Sequence, residues 1–526
     1  MGAGSHRSRR DFLGLAAAAA VPATVATACS AAGVASAPAS RTVAQRLRLR
    51  EHSLSGDPHW PIRHRGSPEA IMGYAGQASV RPGEPITLYV STTARSFRVR
   101  AFRMGWYRGD LARLVWRSGA VTGHRQRKAA LVKPTNTVQT HWDPSVTVPT
   151  HDWPVGSYLL RLDAESGAQR YVPVTVRSAS TGGRVVIKNS VETWQAYNTW
   201  GGYDLYHGPG GLADYGNRSL AVSLDRPYDA NGAYMFLYHE RKLIELAERL
   251  GLPLAYVTSL DIAADPQLLR GASALVSLGH DEYWSPPERV HVTAARDAGV
   301  NVAFLGANAM FRRTRLASTR LGPRRLVICY KTSYRQDPMY GKDNALVTSD
   351  WREPPHPDPE SSLTGTLYES NPTDAAYVVA TPDAWPFAGT GVHKGTRFTG
   401  LVGIEYDRVN PDSPVERPIQ ILSHSPLTCR GVHSYGDSAY YTHRGGAGVF
   451  NTGTMRWVAS FGGLRLFGLD RRTAAFTRWV TRNVLLAFAG GPAAAGYPAH
   501  DNLDAMGEWA GDPIASQHDL WPPVKL

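Results

Sequence analysis

From Ile71 onward the chain alternates apolar and polar residues in short runs. "ASVRPGEPITLYVSTTARSFRVRAFRMGWY" is broken by Pro-Gly and Ser/Thr turns, and "WPVGSYLLRL" and "QRYVPVTVRS" repeat the style as far as Ser178. A period of two between turn signals predicts successive short strands and an all-β sandwich over 69–178. After "STGG" at 180–183 the pattern changes. Buried strands ("RVVIKNS", "PLAYVTS", "GASALVSLG", "VNVAFLG") now alternate with amphipathic helices, "YHERKLIELAERLG" at 238–251 and "SPPERVHVTAARDAG" with Ser285 as its cap. Strand, loop, helix, strand predicts a mainly parallel sheet covered on both faces, here over 183–492, and such sheets collect functional groups beyond the C-terminal ends of their strands.

The fold class expected is therefore α/β plus all-β, the sandwich being of immunoglobulin-like or fibronectin-like kind. Residues 325–430 read as strands broken by Pro-rich loops such as "WREPPHPDPE", decorating the sheet. "RTAAFTRWVTRNVLLAFAG" reads as a closing helix, 493–526 as an extended tail and 38–68 as a linker. Residues 1–37 carry "SRRDFL" and an alanine-rich stretch too short to span a bilayer, which is the pattern of a twin-arginine export signal cleaved between Ala28 and Ala37. Cys29 follows Ala26, Thr27 and Ala28, a lipoprotein box lacking its Leu, so lipid anchoring stays open. The expected address is extracellular or cell-envelope.

The formal charge of +13 suggests an anionic partner such as an envelope surface. Its arginines are scattered, and no basic run interleaves with stacking aromatics, which argues against nucleic acid. After cleavage Cys329 and Cys429 remain, in apolar strands where buried thiols are the expected state. No G-x-S-x-G elbow, phosphate-cradling loop or H-E-x-x-H helix is present, which removes several hydrolase and nucleotide-dependent classes.

Candidate chemistry gathers in "SLGHDEYWS", where a buried strand gives way to a helix. His280 and Glu282 are either a structural hydrogen-bonding pair or part of a site. Asn308 in "FLGANAMF" follows the next strand, and its amide either stabilises an oxyanion or ties down a turn. The loop "NSVETWQAYNTWGGYDLYHGPGG" brings Tyr197, Tyr203 and Tyr206 to the same sheet edge. Each alone is an aromatic wall residue by default. Two tyrosinates with a carboxylate, however, form a hard oxygen donor set suited to Fe(III).

Through "TWQAYNTWGG", "VSLDRPY", "GHDEYWS", "FLGANAMF" and "GVFNTGT", residues 70–490 resemble the N,N-dimethylformamidase large-subunit-like family. The resemblance implies an Ig-like or jelly-roll domain joined to a glutamine-amidotransferase-like α/β domain, without that class's nucleophilic cysteine. It also implies a mononuclear iron amidohydrolase whose metal is held by two tyrosines and a glutamate. Glu282 matches the metal glutamate and Tyr197 one tyrosine. Val222 stands before Ser223 where the second tyrosine is expected, so Tyr206 takes its place with Tyr238 in reserve. His280 and Asn308 match residues lining that site, while Lys331 of "CYK" and Glu405 of "GIEYD" match a lysine and a general-base glutamate. The expectation is an exported, Fe(III)-dependent hydrolase of a small-molecule amide, with a small subunit or a second copy as partner. The altered second tyrosine motif favours the competing class, a non-catalytic envelope-binding protein on a degenerate scaffold.

The export reading is checked by the intact mass of protein recovered from its native route. It should correspond to a chain beginning between residues 29 and 38, and a chain still carrying Arg9 and Arg10 would contradict it.

Overall fold

The computed structural model describes residues 51, 53–462 and 466–506, all within one compact unit, Ala44–Leu526. The twin-arginine stretch, Cys29 and the chain beyond 506 lie outside the described residues. Helices and strands are mixed, with several sheets.

The strand Gly156–Ala164 shows how the layers stack. Tyr158, Leu160 and Leu162 enter one core with Leu88, Val90 and Val99, whereas Leu159 between them enters another with Ile187 and Val276. The period of two thus divides one strand between two cores, and the strand is buried on both faces. It lies inside a sheet ordered Ser79–Val80, Gln169–Val176, Gly156–Ala164, Ser96–Met104, Ala112–Arg117, antiparallel except for the short first pair. A three-stranded antiparallel sheet of Ile71–Ala75, Ile86–Thr92 and Val146–Val148 faces it. Residues of the expected linker are strapped against these strands. Trp60 O accepts from the Tyr171 hydroxyl at 2.9 Å, and Arg113 pairs with Glu51 at 2.8 Å.

The second large sheet is ordered Leu254–Thr258, Val185–Asn189, Ala274–Gly279, Asn301–Gly306, Gly448–Asn451, Val432–Thr442, Ile419–Cys429. Neighbours among the first five pair in parallel, and the last two return as an antiparallel hairpin. From Val185–Asn189 the chain first adds a strand on one side and then, at Ala274–Gly279, on the other. The crevice at such a reversal is where open α/β sheets place ligands. Helix Pro286–Asp297 makes the crossover to Asn301–Gly306, and helix Arg471–Ala489 packs Val480, Val484 and Leu485 into the core.

The two layers are joined by polar contacts as well. Arg103 pairs with Glu248 at 2.6 Å in the interior, and Asn189 Oδ1 accepts from Ser157 and Thr175, each at 2.8 Å. Cys329 and Cys429 are free, buried thiols. The tail contributes to the core: Leu503 packs with Val302, Ile419 and Tyr441.

One helix departs from its pattern. The periodicity starts it at Tyr238, but regular α-helix runs over Arg241–Arg249, preceded by a wider π-helical turn over Phe236–Glu240. The wide turn aims Glu240 inward, where it accepts from Asn189 Nδ2 at 2.6 Å, Ser190 N at 3.1 Å and Trp194 Nε1 at 2.7 Å.

Gly279 and Gly306 are register partners at the ends of adjacent parallel strands. A methyl group on Gly306 would collide with the Gly279 carbonyl, and one on Gly279, whose φ is +41°, with the His239 carbonyl. The strand ends approach closely because neither carries a side chain. Gly306→Ala should cost about 2 kcal/mol of stability, an overpacking penalty, read as a lower urea midpoint; an unchanged midpoint would show that the strand ends can part freely.

Candidate active site

Beyond those glycines the two loops stay paired. Tyr283–Trp284 lies parallel to Arg312–Arg313, with Met310 N donating to Asp281 O at 2.9 Å and Arg312 N to Glu282 O at 2.9 Å. Asp281 turns away from the crevice, to Lys188 Nζ at 2.7 Å and Ser277 Oγ at 2.6 Å, and Lys188 also meets Glu288 at 2.5 Å. With Asp281 anchored behind, His280 and Glu282 on either side of it face forward.

Glu282 is fully buried. The Tyr206 hydroxyl donates to its Oε1 and the Tyr197 hydroxyl to its Oε2, each at 2.5 Å, and the two hydroxyls are 3.4 Å apart. The phenol rings stack at 4.9 Å. Tyr197 arrives at the C-terminal end of the short helix Val191–Ala196, and Tyr206 from the loop that follows. Tyr238, the reserve, stacks instead on Tyr234 at 5.7 Å.

Arg312 was not singled out from the sequence, yet its Nε lies 3.2 Å from Glu282 Oε1, and its other end pairs with Asp350. Burial would raise Glu282, but Arg312 and then Lys331 overcome it and hold this carboxyl below its ordinary value. Both phenols are pushed well above theirs by burial and then by the Glu282 charge. Burial, reinforced by Arg312, drives Lys331 well below the ordinary lysine value. Its Nζ donates to Leu205 O at 2.9 Å and sits 3.1 Å from the Tyr206 ring centre.

The remaining expected residues stand alongside. His280 Nε2 is 3.6 Å from Glu282 Oε2, and its Nδ1 is 3.8 Å from Glu405 Oε2. Asn308, in a left-handed conformation with φ +59°, gives its amide to Glu405 Oε2 at 2.9 Å and its backbone N–H to Asp407 Oδ1 at 2.7 Å. Burial and the Glu282 charge push Glu405 well above the carboxylate range. Two carboxyls in one crevice therefore have opposite proton affinities, the arrangement that separates an acid–base role from an anionic one. His239 was also missed; its ring lies 5.3 Å from that of His280.

Could these residues hold a metal? No group of three or more His, Cys, Asp and Glu side chains among the described residues is arranged to do so, so phenol oxygens must complete any such set. Tyr197, Tyr206 and Glu282 bring two phenol oxygens and both oxygens of one carboxylate together. Nearby, the buried Tyr283 hydroxyl and Asn308 Oδ1 have no hydrogen-bond partner among the described residues. The donor set fits a highly charged cation, whose bonding would replace the phenol protons.

Fold and site together define a mixed α/β protein with a buried phenol–carboxylate centre at the ends of adjacent parallel strands. The chain matches the family described as N,N-dimethylformamidase beta subunit-like, C-terminal, over residues 98–468, and it belongs to that family. No curated protein matches it in sequence. Among solved structures, one match is to a Paenibacillus sp. cycloisomaltooligosaccharide glucanotransferase complexed with cycloisomaltoheptaose. It is 14% identical, has a TM-score of 0.14 and covers 26% of this chain and 18% of that one. An overlap that small bears on neither fold nor chemistry.

Asp407, which holds the Asn308 loop, provides a pH test. Burial raises it from 3.8 to about 7. A folded-state carboxyl raised in this way stabilises most below its unfolded value, and that stability is lost as pH rises toward 7, at about 1.4 kcal/mol per pH unit. Asp407→Asn should flatten this slope in urea titrations between pH 4 and pH 7; an unaltered slope would show that Asp407 ionises normally in the fold.

Proposed function

We propose that this dimethylformamidase-like protein is an exported hydrolase of amide C–N bonds that uses iron held by Tyr197, Tyr206 and Glu282. The observation that carries the reading is the meeting of two phenol hydroxyls, one from a helix end and one from the loop after it, with the two oxygens of a single buried carboxylate. Iron(III) at these oxygens would supply Lewis acidity toward an amide carbonyl or a water molecule.

The chain's own groups do the rest. Glu405 acts in its ionised form: the carboxylate takes the proton of the attacking water and, because its proton affinity is raised, carries it to the leaving amine. His280, kept neutral by burial despite Glu282, and Asn308 flank the place where charge grows on the carbonyl oxygen. Lys331 braces the Tyr206 ring from behind and lends a donor to the same wall. Arg312 offsets part of the negative charge of Glu282 and the phenol oxygens, so the centre does not depend on the cation alone for neutrality.

The same proposal extends to architecture and setting. The antiparallel sheets of 71–176 support an immunoglobulin-like sandwich, and the parallel pairs of 185–451 an amidotransferase-like α/β domain. The family description, a beta subunit, supports work alongside a smaller subunit or a second copy. The twin-arginine pattern supports folding and metal loading before export to the envelope.

Elemental analysis and amide hydrolysis test the assignment together. Glu282→Gln should lose both bound iron and activity, whereas Glu405→Gln should keep its iron and lose activity by about 100-fold or more, the usual scale for a general base. Full activity in either variant would remove that residue from its role. A wild-type protein with neither metal nor hydrolysis would leave the non-catalytic binding reading in place.

A further inference from the structure

Tyr197 has two surroundings. Its hydroxyl meets Glu282, and its side chain also forms part of the wall of an open cleft of about 330 Å³. The other walls are chiefly Trp194, Tyr228, Tyr234, Met235 and Phe236, closed on one side by Pro173 from the strand Gln169–Val176. Trp194 and Tyr197 are three apart at the end of one helix, so the same face presents both. Trp194 cannot swing away, because its Nε1 is tied to Glu240 at 2.7 Å, and its ring meets Phe236 edge-on at 5.9 Å. The wide turn that positions Glu240 therefore also fixes two walls of the cleft. At the mouth, Tyr234 is half exposed and stacked on Tyr238.

We infer that this cleft receives an uncharged aromatic or branched alkyl substituent of the substrate, so that the site favours amides much bulkier than dimethylformamide. The part of the inference that concerns turnover rests on the hydrolase reading above; the part that concerns binding does not. Two observations select the ligand. The cleft volume falls in the ~300–1,000 Å³ range of sites that enclose sizeable organic ligands, far more than a molecule with a handful of heavy atoms fills. Its walls are aromatic, and its single acid, Asp229, already accepts from the Thr199 backbone N–H at 3.0 Å and from the Thr199 hydroxyl. A neutral apolar group loses nothing there, whereas a cation would have to compete for an engaged carboxylate. Tyr197 is the residue the cleft lining shares with the centre, so a ring seated in the cleft would lie against the tyrosine whose hydroxyl meets Glu282 and leave the amide bond on that hydroxyl's side.

The experiment uses the full protein as purified. Relative kcat/KM is measured for N-benzylformamide and N,N-dimethylformamide, and binding of N-benzylacetamide, a more slowly cleaved probe, by calorimetry. The benzyl amide should be preferred about 100-fold, mainly through KM, on the scale of burying an aromatic ring. Met235→Trp, which fills the cleft, should reduce that preference about tenfold or more. Tyr234→Ala, at a half-exposed position that spares folding, should reduce it severalfold. Equal kcat/KM for the two amides, a preference unmoved by Met235→Trp, or tighter binding of benzyltrimethylammonium than of the neutral probe would overturn the inference. If no amide is cleaved but the probe binds and Met235→Trp abolishes its binding, the hydrolase reading fails and the cleft assignment stands.

Discussion

A carboxylate without access to water has to be compensated from within the protein, and at Glu282 a guanidinium, two phenols and an imidazole do so. The rest of the molecule is arranged to make that possible. Arg312 comes from the neighbouring loop, and it reaches Glu282 because the two strands end in glycines that let the loops approach. Asp281 is pulled backward by Lys188, which fixes the direction of the residues on either side of it. Breaking one partner of such a buried group leaves a charge without compensation and costs about 3–5 kcal/mol, so the loops, the strand ends and the ion pairs behind them act as one unit.

The electrostatic pattern divides labour between two nearby carboxyls. Arg312 chiefly offsets the burial of Glu282 and keeps it anionic, whereas Glu405 lies within the field of that anion and has a raised proton affinity. Asn308 joins the two halves of the crevice, giving its side-chain amide to Glu405 and its backbone to Asp407. A left-handed conformation at Asn308, with φ +59°, is what turns both groups the same way. This arrangement belongs to the chain alone and precedes any ligand.

Much of the site was legible because its parts are local. "GHDEYWS" and "FLGANAMF" each follow an apolar run, and the period of the flanking residues marks both as loops at the same sheet edge. Tyr206 is harder to place: the loop around it has no regular period, and the motif expected to carry the second tyrosine has Val222 in that position. The hydroxyl of Tyr206 meets Glu282, whereas Tyr238 stacks on Tyr234. Arg312 was not legible, since nothing in "FRRTR" separates it from the neighbouring arginines, and only the pairing of Tyr283–Trp284 with Arg312–Arg313 turns it inward. His239 was hidden for a similar reason. A helical period places it on a regular helix, but a π-helical turn rotates it toward His280, and nothing in the apolar spacing signals that turn. Long-range pairing, one widened turn and a motif with Val222 in place of its tyrosine account for what the sequence does not show of the site.

The central claim is that the phenol oxygens of Tyr197 and Tyr206 act as metal donors, and vibrational spectroscopy reads it directly. Resonance Raman spectra of the protein purified with its metal, excited in the visible tyrosinate-to-iron band, should show tyrosinate ring modes. These should weaken in Tyr206→Phe and in Tyr197→Phe and persist unchanged in Tyr238→Phe. Modes that survive both of the first two changes, or that vanish only with Tyr238→Phe, would contradict the account.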